Sequence, residues 1–194
     1  MTALAISNIV LWVLVVALAA VVLALTRQLG VLHERIAPAG ALMLNRGLTV
    51  GEPAPLIEVT DLEGRAFRIG APRSDGRSTL LLFVSPTCPV CKTLLPAVLS
   101  SRKDERGWLD VLLASDGDLT QQREFVRRQH LEVVPYIVSG ALGLAYQVGR
   151  LPFGALLDEQ GIVRARGLVN SREHLESLFE AKRLGVASLQ EYFS

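Results

Sequence analysis

The chain has 194 residues, enough for one well-packed domain and an accessory segment. Its 20 basic and 19 acidic residues leave a net charge of +1, which argues against a nucleic-acid-binding surface. Half of the residues are hydrophobic although only 6% are aromatic, and most of the apolar excess lies near the N-terminus.

The first feature along the chain is an apolar run. Residues 9–25, IVLWVLVVALAAVVLAL, contain no polar side chain, and a helix needs about 20 apolar residues to cross a membrane. No Lys or Arg precedes Arg27, so the basic region of a cleaved signal peptide is missing. We predict an uncleaved transmembrane anchor over residues 1–26. A juxtamembrane helix and linker (27–49), a compact domain (50–185) and a C-terminal tail (186–194) follow it.

The compact domain begins with strands. A turn at residues 61–64, DLEG, separates strands predicted over residues 56–60 and 66–69. The continuous apolar run TLLLFV, residues 79–84, predicts a strand buried on both faces, and a helix over residues 88–101 follows it.

Strands and helices continue to alternate after this helix. Residues 109–114 predict a second buried strand, and residues 118–130 an amphipathic helix with Asp118 as its N-cap. A short extended segment, a short helix, a hairpin and a last helix complete the domain, over residues 133–138, 141–148, 153–168 and 170–184. Asn170 and Glu173 resemble a capping box at the start of the last helix. This order predicts an α/β fold with a central mixed sheet flanked by helices.

Both cysteines of the chain lie in SPTCPVCKTLLP, as Cys88 and Cys91. The buried strand delivers Cys88 to the first turn of a helix, where free N–H groups and the positive end of the helix dipole favour a thiolate. Cys91 lies one turn later and deeper, where it can attack a mixed disulfide on Cys88. We therefore predict that Cys88 is the attacking thiol and Cys91 the resolving thiol. Pro89 suits the first helical position. Pro89 and Val90, between the cysteines, help to set the redox poise. Lys92 adds modest electrostatic stabilisation of the thiolate.

Other uses of a cysteine pair fit less well. A tetrahedral zinc site needs two further ligands, but the chain has no other cysteine, and His33, His130 and His174 are scattered. A purely structural disulfide between Cys88 and Cys91 would close too short a loop to stabilise much. We predict no metal and no bound cofactor, the redox group being the Cys88–Cys91 disulfide.

The sequence CPVCKTLLP resembles the thioredoxin superfamily, in which CxxCK is followed by a proline inside the helix, here Pro96. That superfamily has a cis-proline loop facing the dithiol, and YQVGRLPFGALLDEQG is similar to it. The resemblance implies a thioredoxin-like fold over residues 50–184 and a cis peptide at Leu151–Pro152, with Pro135 as the rival. It also implies that Leu151 and Pro152 help to dock a substrate chain.

The anchor, RQLGVLHERIAPAGAL and SPTCPVCK together resemble the MauD family of methylamine utilisation accessory proteins. This resemblance implies a membrane-anchored thiol–disulfide oxidoreductase or isomerase acting on the small subunit of methylamine dehydrogenase, which is periplasmic and rich in disulfides. An upstream redox partner would reset the cysteines. Such a client places the chain in the inner membrane with its domain in the periplasm, although Arg27, Arg35 and Arg46 alone would place that domain in the cytoplasm.

Two alternatives stay open at this point: a generic thioredoxin-like reductant for cytochrome c maturation, and a non-catalytic module that holds an immature client. The residues do not fix the direction of electron flow, because a CPVC pair could oxidise, isomerise or reduce. Glu58 and Asp110, on predicted strands, are candidates for a buried proton acceptor, although most carboxylates on strands face water.

Overall fold

A computed structural model describes the backbone of residues 2–34 and 48–184 and, in the first helix, the side chains of residues 6–22. The chain divides into two compact units, Met1–Asn45 and Arg46–Ser194. Residues 35–47 of the predicted linker and the whole predicted tail, residues 186–194, lie outside the described residues.

The described part of the first unit, residues 2–34, forms one helix, α1 (Thr2–Glu34). The predicted juxtamembrane helix is therefore not separate but continues the first one, because no proline occurs before Pro38. The side chains of residues 6–22 are exposed. Judged on the described residues, no helix combines the length and the apolarity that crossing a membrane requires.

The described residues of the second unit form two sheets. In the first, β1 (Ile57–Thr60) and β2 (Ala66–Ile69) form an antiparallel hairpin. The second has the order β5-β4-β3-β6-β7. Its strands are β3 (Ser78–Phe83), β4 (Leu109–Ser115), β5 (Tyr136–Val138), β6 (Phe153–Leu157) and β7 (Val163–Leu168). Strands β3, β4 and β5 are parallel, and β6 is antiparallel to both β3 and β7, so the predicted mixed sheet is confirmed.

Four helices lie within residues 48–184 of this unit: α2 (Pro89–Asp104), α3 (Leu119–Arg128), α4 (Gly140–Ala145) and α5 (Arg172–Leu184). Asp118 caps α3 as predicted, since its carboxylate accepts the N–H of Gln121 at 2.9 Å. The predicted helix start at residue 170 is two residues early, and the predicted cap is one residue early. Helix α5 begins at Arg172, and the hydroxyl of Ser171, not the side chain of Asn170, accepts an N–H of its first turn.

The central strand β3 is buried along its whole length. Leu80 and Leu82 pack into the apolar layer that contains α2 and α5, whereas Leu81 and Phe83 pack into the layer that contains α4. Both faces of β3 are therefore covered, and its carboxyl end is held firmly where the cysteine motif begins.

Candidate active site

The sheet places Cys88 at the carboxyl edge of its parallel strands. Val84 extends β3 by donating its N–H to the carbonyl of Ala114 at 2.9 Å, and a turn then closes with Cys88 N–H bonded to Ser85 O at 3.1 Å. Pro89 is the first residue of α2, so Cys88 is the N-cap of that helix, with extended backbone angles. Its side chain is half-buried and can be reached from solvent.

The two thiols lie in contrasting environments. The N–H of Cys91 donates a hydrogen bond to the Sγ of Cys88 at 3.1 Å, while Cys91 itself is completely buried. Burial, together with the side-chain hydrogen bond with Cys88, raises the pKa of Cys91 to about 12. At neutral pH Cys91 is therefore a protonated thiol shielded by the protein, whereas Cys88 faces the outside.

The other predicted motif residues are arranged along α2. Pro89 and Val90 are exposed beside Cys88, and Lys92 is exposed on the next turn. Pro96 lies inside the helix, where it cannot donate the usual hydrogen bond to the carbonyl of Lys92. The effect of these residues on the redox poise stays a prediction.

The Leu151–Pro152 loop approaches the dithiol from a different part of the chain. Its peptide bond is cis, as the resemblance implied, and the bond before the rival Pro135 is not. Pro152 is buried, whereas Leu151 is half-buried and lines the same cavity as Cys88. The structure thus brings Leu151 and Cys88 together, and docking of a substrate chain there stays a prediction.

Sequence reasoning missed several residues beside Cys88. Asp116 and Arg150 line the cavity with it, as do the buried ring of Phe83 and part of α4. The position of Asp116 could have been inferred, because it directly follows β4, a buried neighbour parallel to β3. The carboxyl ends of such strands meet at one edge.

A buried polar network on the α2 side of the sheet was also missed. The hydroxyl of Tyr136 donates to the side-chain oxygen of Gln122 at 2.7 Å, and the Gln122 amide donates to the carbonyl of Asp116 at 2.5 Å. Burial raises the pKa of Tyr136 to about 12. Among the residues that the structure describes, the buried hydroxyl of Ser115 is left without a hydrogen-bond partner. The polar side chains in the apolar layer around Cys91 are therefore neutral.

The two carboxylates considered as proton acceptors lie elsewhere. Glu58 is largely exposed and pairs with Arg68 at 3.3 Å. Asp110 pairs with Arg73 and Arg77 near the start of β4, at the opposite edge of the sheet from the cysteines. Both are therefore wrong as candidates. Within residues 48–184 and the described part of α1, no three His, Cys, Asp or Glu side chains gather as a metal site would require.

Comparisons with known proteins agree with this architecture. Residues 49–182 match the Redoxin family model. The methylamine utilization protein MauD of Paracoccus denitrificans is 47% identical over 188 residues, covering 97% of this chain and 93% of the relative. That of Methylobacillus flagellatus is 45% identical over 186 residues, covering 96% and 90%. The thioredoxin domain of a thiol-disulfide oxidoreductase from Bacteroides vulgatus superposes with a TM-score of 0.59 at 18% identity, covering 69% and 97%, which supports the fold.

Proposed function

Because the chain belongs to the Redoxin family and to the MauD family of methylamine utilization proteins, we propose that it is a thiol–disulfide oxidoreductase working through Cys88 and Cys91. The observation that carries the proposal is the pairing of a half-exposed Cys88 with a buried Cys91, whose N–H lies 3.1 Å from the first sulfur. Two such sulfurs exchange two electrons with a client by forming or breaking one S–S bond, so no bound cofactor is needed.

The reaction has two exchange steps. In the reducing direction, the Cys88 thiolate attacks one sulfur of a client disulfide, and the other client sulfur leaves as a thiolate that takes up a proton. Cys91 then loses its proton and attacks the Cys88 sulfur, which releases the second client thiol and forms the Cys88–Cys91 disulfide. The reverse order oxidises a client dithiol, and an upstream redox partner then restores the starting state.

The client that fits best is the small subunit of methylamine dehydrogenase. Relatives at 43–47% identity over nearly the whole chain are named methylamine utilization proteins. The family resemblance implies a role in maturing this disulfide-rich subunit. A client with many cysteines needs an agent that can open wrong pairs as well as close right ones, and a half-exposed thiol backed by a buried one suits both steps.

We also propose that residues 9–25 anchor the chain in the inner membrane with its domain in the periplasm. The apolar run continues to Leu25, three residues beyond the side chains that the structure describes, and no Lys or Arg precedes Arg27. Disulfide exchange on an exported client belongs in an oxidising compartment. The arginine count argues the other way, but charge bias governs short loops more than whole domains.

The test is capture of the client. A Cys91→Ser variant lacks the resolving thiol, so co-expression with the small subunit should accumulate an adduct through Cys88 that reducing agent releases. A Cys88→Ser/Cys91→Ser variant is the matched control and should capture nothing. Adducts made mainly of apocytochromes would favour a reductant of cytochrome c maturation. Normal maturation of the small subunit by the double variant would favour a client-holding module.

A further inference from the structure

A cavity of about 450 Å³ opens directly beside Cys88. Its inner lining includes Phe83 and Ala114, which are buried members of the apolar layer that contains α4. Its rim includes Leu144, which is 74% exposed, and Arg150, which is also exposed. The cavity is therefore an open, largely apolar recess that begins at the attacking sulfur.

Three glycines line this recess. Gly140, Gly143 and Gly149 all line it, and a Cβ added to any of them would meet no heavy atom within 4 Å. None of the three has the left-handed backbone that favours glycine. Neither the backbone nor the packing thus requires glycine at these positions, so a larger side chain can be placed in the lining of the recess without a clash at its Cβ.

We propose that this recess binds an aromatic side chain next to the reacting cysteine of the client, an inference that rests on the proposed function. Cys88 lines the recess, so a client sulfur bonded to Cys88 lies at its edge, and the neighbouring client residues come within reach of it. Leu151 lines the same recess, so a client segment that contacts both Cys88 and Leu151 would lie along it.

The surroundings of Phe83 favour an aromatic occupant. The centroid of its ring lies 5.9 Å from that of Tyr146 and 6.3 Å from that of Phe153, and both pairs are tilted. A client ring that contacts the small part of Phe83 lining the recess would extend this cluster, because aromatic rings prefer tilted or offset neighbours at such distances. Arg150 at the rim provides a cation that can stack on the face of the same ring.

The experiment compares peptide disulfides that differ in one residue. The full chain is purified in detergent and its dithiol reduced. It is then mixed with three peptide disulfides that carry Trp, Leu or Ala next to the cysteine, and the rate constant of disulfide reduction is measured for each. We expect the Trp peptide to react at least about tenfold faster than the Ala peptide, with Leu between them, since apolar pockets discriminate by roughly 10- to 200-fold.

Filling the recess supplies the decisive variants. Gly143→Leu and, independently, Gly149→Leu should reduce the Trp-to-Ala rate ratio to about one. Gly107→Leu is the matched control and should keep the wild-type ratio. Gly107 also has open space around its Cβ and an ordinary backbone, but it precedes β4 at the far edge of the sheet.

The possible outcomes separate this inference from the proposed function. The aromatic subsite would be overturned if the wild-type protein reduced the three peptides at equal rates, or the Leu peptide as fast as the Trp peptide. It would also be overturned if both Gly143→Leu and Gly149→Leu kept the wild-type Trp-to-Ala rate ratio. If the reduced protein does not reduce hydroxyethyl disulfide and the oxidised protein does not oxidise 2-mercaptoethanol, the proposed function is instead overturned, because neither small molecule has a side chain to dock. Circular dichroism spectra that match wild type establish that the filled variants are folded.

Discussion

The backbone N–H of Cys91 donates its hydrogen bond to the Sγ of Cys88 across 3.1 Å. Asp118 and Ser139 accept equivalent bonds at the starts of α3 and α4, from the N–H groups three residues later. Cys88 thus caps the helix that carries its partner, with sulfur in place of oxygen. The bond holds the Cys88 sulfur next to the residue that must later attack it.

Selective alkylation tests this difference between the two thiols. We expect limiting iodoacetamide at pH 7 to modify Cys88 and to leave Cys91 unmodified. Cys91 is buried, and with a pKa of about 12 roughly one molecule in 10⁵ carries its thiolate at that pH. Peptide mapping by mass spectrometry identifies the site. The Cys88→Ser variant should react at least about a hundredfold more slowly, and a wild-type protein labelled first at Cys91 would contradict the assignment of roles.

The stability of the reduced protein should fall at alkaline pH. The unfolded Cys91 thiol ionises near its ordinary pKa of 9.0, whereas the folded one keeps its proton to about 12, so the unfolded state binds fewer protons between these values. The stability that the neutral thiol contributes is complete below pH 9 and is lost as the pH rises towards 12. Between pH 8 and 10.5, urea unfolding should show wild type losing about 2 kcal/mol more than Cys91→Ala. Equal losses of unfolding free energy in wild type and Cys91→Ala would show that burial of the Cys91 thiol does not make stability depend on pH in this range.

Local signals explain why the cysteine motif could be predicted from the sequence. An uninterrupted apolar run predicts β3. Pro89 suits the first helical position, which makes Cys88 the cap of α2. Each of these signals acts within a few residues. The helix start therefore follows from short-range sterics and hydrogen bonding, and the structure agrees with it.

Features that depend on distant contacts could not be predicted. Asn170 and Ser171 both suit a helix cap, and the choice between them depends on tertiary structure. The N–H of Val169 donates to the carbonyl of Pro152, so the sheet continues to Val169. Helix α5 therefore begins only at Arg172. The recess beside Cys88 is a similar case, because its lining comes from four separate segments of the chain.

Membrane retention tests the role of the N-terminal segment. The full chain should stay in the membrane fraction through an alkaline carbonate wash, since residues 9–25 are entirely apolar. Replacing Val16 and Ala17 by Asp should release most of it, because each charge at the centre of a span costs about 2.5–3.5 kcal/mol. Val16→Leu is the matched control and should behave as wild type. A mature protein that starts near residue 27 would show that the segment is a cleaved signal.

A buried carboxylate holds the hairpin that follows the cis-proline loop. The side chain of Asp158 is 2% exposed and accepts hydrogen bonds from the N–H groups of Gln160 at 3.0 Å and Ile162 at 2.8 Å, and from Nε of Arg164 at 2.6 Å. Removing it leaves two backbone donors and a cation without their acceptor. We therefore expect Asp158→Ala to lower the free energy of unfolding by about 3 kcal/mol.

Two further variants separate the hydrogen bonds of Asp158 from its charge. Asp158→Asn keeps an oxygen acceptor for the turn but loses the charge that faces Arg164, so it should cost less than Asp158→Ala. Gln160→Ala changes an exposed side chain in the same turn and should stay within about 0.5 kcal/mol of wild type. Urea unfolding of the full chain in detergent measures all three. If Asp158→Ala were as mild as Gln160→Ala, the turn would be held by its backbone alone, with the N–H of Asp158 bonded to the carbonyl of Ile162 at 3.0 Å.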